Sequence, residues 1–73
     1  MAIAAAPLTP LERYVAAIAR RNILWARWQE ARDTADWQPN AIAFRALNEA
    51  QDAYEFAERD VVRARALFEA LAA

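Results

Sequence analysis

Apolar residues in the second half of the chain recur at spacings of four and three. Ala43, Leu47, Ala50, Tyr54, Ala57, Val61, Ala64, Phe68 and Leu71 form an unbroken heptad seam. Alanine at every other seam position lets a facing helix approach closely. At about 100° per residue, Ile42, Ala46, Ala53, Phe56 and Leu67 widen this face to roughly half the helix circumference. Phe44 and Val62 share a further meridian. The first half is similar. Leu11, Tyr14, Val15, Ala17, Ile18, Leu24, Trp25, Trp28 and Ala31 span roughly 200°.

Two punctuation signals bound these runs. Thr9-Pro10-Leu11-Glu12 reads as a helix start: Thr9 caps, Pro10 suits the first helical position, and Glu12 closes a capping box. Asp36-Trp37-Gln38-Pro39-Asn40 is the only internal turn signal, because Pro39 disfavours helical geometry at Gln38. The sequence therefore predicts one domain with a flexible arm over 1–8, a helix over 9–35, a turn over 36–39 and a helix over 40–72. So short a connection makes the helices antiparallel neighbours. The fold class is all-α, a two-helix antiparallel hairpin. A lone hairpin uses one narrow stripe per helix. Helices apolar over half their circumference need further neighbours, which predicts a homodimer forming a four-helix bundle. Its core and dimer seam would be Leu47, Tyr54, Val61, Phe68, Phe44 and Phe56. Part of the surface could also stay open for a foreign protein.

Composition narrows the chemistry. The 73 residues include 21 Ala and 9 Arg but no Lys, His, Cys, Gly or Ser. Without Cys or His there is no disulfide framework and no ordinary zinc site, and without Gly no phosphate-cradling loop. No nucleophile–base set can be assembled either. The expectation is a non-enzyme with no metal and no cofactor. A core this small seldom supplies more than about 3–5 kcal/mol, so oligomerisation is the remaining staple. No run approaches the roughly 18 apolar residues of a membrane span. Residues 1–7 lack the positive start of a signal peptide, which points to the cytoplasm.

Two charged constellations stand out. Arg21, Trp25, Trp28 and Arg32 lie on one side of the first helix, with each Arg–Trp pair at the i,i+4 spacing that lays a guanidinium over an indole. Both arginines fall inside the apolar arc. Either they brace the seam edge as ion pairs, Arg21 with Asp60 and Arg32 with Glu49, or they frame an exposed Trp/Arg hot spot. The second constellation is Arg13, Arg20 and Arg27, spaced by seven and placed opposite the core. Glu55–Arg59 and Arg65–Glu69 are i,i+4 pairs of a solvated face.

The Thr9-to-Glu12 start, the Asp36-to-Asn40 turn and the seam from Ala43 to Leu71 resemble, in size and plan, small phage-encoded helical-hairpin inhibitors of the quorum-sensing anti-activator type. That resemblance implies a dimeric hairpin that binds a host protein such as a transcription regulator, in the host cytoplasm. It supplies no diagnostic motif, so no functional residue is carried over from it. The candidate protein-binding residues are Arg21, Trp25, Trp28 and Arg32, then Arg13, Arg20 and Arg27. The alternatives are an RNA-binding hairpin dimer similar in plan to a plasmid copy-number regulator, and a small structural or assembly protein of a virion. A net charge of −1 disfavours the RNA-binding reading.

Overall fold

The computed structural model describes residues 7–72. They form two helices: α1, Pro10–Trp37, and α2, Ala41–Ala72. The start of α1 is fixed by a complete capping box. The Glu12 N–H donates to Thr9 Oγ1 at 3.1 Å, and the Thr9 N–H donates to Glu12 Oε1 at 3.1 Å. Two of the orphan donors at the helix start are thereby satisfied. The Thr9 bonds hold the Glu12 carboxyl below its ordinary range.

Helix α1 runs past the expected end at residue 35, through Asp36 and Trp37. The physical reason is the short reach of Pro39, which restricts only the residue before it. Gln38 takes that restriction, at φ −131° and ψ 73°, while its N–H still closes on the Thr34 carbonyl at 2.8 Å. Asn40 belongs to the connection instead of to α2. Its Oδ1 accepts the Ala43 N–H at 2.8 Å, and its carbonyl accepts the Phe44 N–H at 3.0 Å. Asn40 is thus the N-cap of α2. The loop is Gln38-Pro39-Asn40. The expected arm over 1–8 lies outside the described residues, apart from the exposed Pro7 and Leu8.

The helices run antiparallel. Tyr14 stacks on Phe68 with ring centroids 5.9 Å apart, and Trp28 stacks on Tyr54 at 5.3 Å. Each helix carries one aromatic per stack, 14 residues from the next, or about 21 Å along the axis. In both stacks the facing residue numbers add up to 82, which sets the register.

On α2 the residues from Ala43 to Phe68 at alternating spacings of four and three are buried or half-buried, and Leu71 at the open end is exposed. A matching row exists on α1: Pro10, Tyr14, Ala17, Arg21, Leu24, Trp28, Ala31 and Ala35 are all buried or half-buried. The buried residues among those described are Ala35, Ala43, Ala57 and Val61. Small side chains thus sit deepest: Ala57 and Val61 between the two aromatic stacks, and Ala35 and Ala43 towards the loop. Among the described residues no helix is long and apolar enough to cross a membrane.

Candidate functional site

A two-helix seam leaves two flanks. On α1 the positions just after the second seam residue of each heptad, Leu11, Ile18, Trp25 and Arg32, fall on one flank. The equivalent α2 positions are Phe44, Gln51, Glu58 and Arg65. Tyr14, Ile18, Arg21, Glu58, Val61, Val62 and Arg65 together line a groove there, so both helices contribute to it. This is the Trp25 flank. The other flank carries Arg13 and Ala17 against Asp60, Ala64 and Leu67, and its α1 edge continues through Arg20, Ile23 and Arg27. Phe56, one turn before Asp60, lies on this second side, which is the Phe56 flank.

This partition corrects several expectations. Arg21 does not pair with Asp60, although the two are almost level in the register. Arg21 lies in the groove of the Trp25 flank, whereas Asp60 lies on the other flank, 3.9 Å from Arg63 of its own helix. An index sum gives height along a hairpin and says nothing about side. Arg32 and Glu49 form no ion pair either. Both are exposed, Arg32 on the Trp25 flank and Glu49 one heptad before Phe56. Neither expected guanidinium–indole contact occurs among the described residues, where the aromatic contacts are the two ring stacks.

Trp28 belongs to the seam against Tyr54, while Trp25 is half exposed at 50%. Arg13, Arg20 and Arg27 are exposed but do not lie opposite the core. Each directly precedes a seam residue, so the stripe borders the interhelical groove. Phe44 and Phe56 are not seam residues. Both are about half exposed, on opposite flanks. The Arg65–Glu69 pair is present at 2.8 Å, while Glu55 accepts from Gln51 instead of pairing with Arg59.

The groove of the Trp25 flank has ordered polar walls. The Tyr54 hydroxyl donates to Glu58 Oε1 at 2.6 Å. This bond, then burial and the Glu58 charge, raise the hydroxyl above the ordinary tyrosine range, and the Arg21 guanidinium opposes them. Glu69 raises Arg65 in the same manner through its hydrogen bond. Arg21 is held only by Asn22, its Nη2 donating to Oδ1 at 3.3 Å. Arg21 and Arg32 therefore keep donor capacity on the flank that exposes the Trp25 indole. Reading the sequence missed that Arg21 occupies a seam position, between Tyr14 and Trp28 at heptad spacing. The signal was there once a charged residue is admitted to the count. It also missed Glu58 and Arg65 as groove residues, and it treated Tyr14 near the Trp/Arg cluster and the Phe44/Val62 meridian as separate faces, because these residues meet only across the seam.

Among the described residues no group of three or more acidic, His or Cys side chains is placed to hold a metal ion. No protein family, curated protein or solved structure matches this chain.

Proposed function

We propose that the hairpin is a non-catalytic protein-binding module that presents the Trp25 flank to a larger protein. The observation that carries this reading is the groove that both helices build on the same flank as Trp25, with Ile18 one heptad before that tryptophan. It is apolar at Ile18, Val61 and Val62, and an incompletely satisfied Arg21 lies within it. Trp, Tyr and Arg are the side chains that concentrate binding energy at protein interfaces. The resemblance in plan to phage anti-activators makes a bacterial regulatory protein the partner class, and inhibition the outcome, acting in the cytoplasm.

The arginine stripe supports a nucleic-acid reading less well. Arg13, Arg20 and Arg27 share their flank with Glu30, Glu49 and Asp60, so a phosphate backbone would meet carboxylates along the same face.

The test is a tagged pull-down from bacterial lysate, with and without nuclease, using wild type and Trp25→Ala. Circular dichroism establishes that the variant is folded. The expected result is one nuclease-resistant protein held by wild type and lost by Trp25→Ala. Capture that vanishes with nuclease and survives Trp25→Ala overturns the reading in favour of nucleic acid.

A further inference from the structure

We propose that two copies of this chain pair through α2, antiparallel, along the exposed row Ile42, Glu49, Phe56, Arg63 and Ala70. The row names the face and register of self-association, which partner binding at the Trp25 flank leaves open, and the two readings fail separately.

These five residues are spaced by seven and lie on one meridian of α2. All five are exposed, Ile42 at 81% and Phe56 at 54%. The seam with α1 uses none of them. The order of the row is the argument. Phe56 sits at the middle of Ala41–Ala72, so two antiparallel helices overlapping over their full length meet there. A two-fold axis at Phe56 sets Phe56 on Phe56, Glu49 on Arg63 of the second copy, and Ile42 on Ala70. Aromatic meets aromatic, acid meets base and apolar meets apolar.

The residues flanking the row obey the same symmetry. On one side Asp52 comes opposite Arg59 of the second copy. On the other, Ala53 comes opposite Asp60, and Ala46 opposite Leu67. None of these facing pairs sets like charges together. Within one chain Arg63 has only Asp60, at 3.9 Å with its side chain 73% exposed, so it is available to Glu49 of a second copy.

Of the other outward rows of α2, Arg45, Asp52, Arg59 and Ala66 pairs acid with base but has no large apolar side chain to bury, and the remaining two fail on charge. Ala41, Asn48, Glu55, Val62 and Glu69 would set Glu55 on itself, and Phe44, Gln51, Glu58 and Arg65 would set Glu58 on itself when fully overlapped. Like charges facing each other disfavour an interface. An isologous two-fold contact needs a self-complementary surface, and of these α2 rows the Phe56 row alone supplies one with large apolar side chains to bury.

The test measures mass by sedimentation and by light scattering across a concentration series of the full chain. Wild type is expected at twice 8.3 kDa. Phe56→Glu is expected to weaken the dimer at least about a hundredfold, since it puts two buried carboxylates face to face. Val62→Glu, on the other flank, is expected to leave the mass unchanged. Glu49→Arg should weaken the dimer about tenfold, and adding Arg63→Glu should restore it. A second readout covers the case in which Phe56→Glu does not fold. The chain has no Cys, so Phe56→Cys should oxidise to a linked dimer while Val62→Cys should not. A folded wild type that stays monomeric overturns the proposal. So does a dimer that survives Phe56→Glu, or linkage at Val62→Cys in place of Phe56→Cys.

Discussion

The two flanks of the hairpin expose similar apolar side chains and differ in how charge is ordered among them. The Phe56 flank shows Ile23, Ile42, Phe56 and Leu67, and the Trp25 flank shows Leu11, Val15, Trp25, Phe44 and Val62. On the first, the outer row of α2 places acid and base symmetrically about an aromatic centre. On the second, Glu55 and Glu58 occupy the middle, and Arg21 and Arg32 stand around the tryptophan. Apolar area alone therefore does not say what covers a face. Charge order separates a surface that can mate with itself from one that needs a different partner.

The sharpest way to break the comparison is to remove the seam that both flanks share. Trp28→Ala deletes the ring stacked on Tyr54 and should cost about 3 kcal/mol. That approaches the whole stability expected of so small a chain, so thermal melting by circular dichroism should show an unfolded protein or a greatly lowered midpoint. Trp25→Ala, three residues earlier, should leave the midpoint nearly unchanged.

Arg21→Leu should sharpen the contrast from the opposite direction. Arg21 stands at a seam position midway between the two stacks, where an apolar side chain would pack at less desolvation cost. The variant should raise stability by about 1 kcal/mol while weakening partner capture through the Trp25 flank. A loss of stability instead would make Arg21 a structural element of the seam.

The smallest effect belongs to the capping box of α1, at the open end of the hairpin. Thr9→Ala should cost about 1 kcal/mol by removing the hydroxyl that accepts the Glu12 N–H. Acid should weaken the other bond of the box. The bonds from Thr9 lower the folded-state pKa of Glu12 below 4.5, so their contribution is present above that pH and is lost as pH falls through the lowered value. A melting series between pH 6 and pH 3 on wild type and Glu12→Ala checks this: the wild-type advantage should shrink as the pH drops.

How much of this was legible along the chain depended on the kind of signal. The α2 row from Ala43 to Phe68 is written in apolar residues at heptad spacing, and a capping box needs only four consecutive residues. Both are local. The α1 row was obscured because Arg21 interrupts it, and an apolar count passes over a guanidinium. The helix end was displaced because Asp36 and Trp37 look like turn residues beside Pro39, while proline constrains only Gln38. The pairing of Arg21 with Asp60 failed because sequence position predicts height in a hairpin, and the choice of flank depends on which of two adjacent meridians each side chain occupies. The groove itself joins residues more than forty positions apart, which no local pattern encodes.

The three tryptophans have an optical consequence. Trp28 is held at 25° to the Tyr54 ring, a fixed pair of chromophores whose asymmetry belongs to the closed seam alone. Trp25 is half in water, and Trp37 at the loop is 87% exposed. The near-ultraviolet signal of the stacked pair therefore reports whether the hairpin is shut. The emission colour of Trp25 follows whatever settles on its flank. Without any added label, the molecule distinguishes by light its own folding from the arrival of a partner.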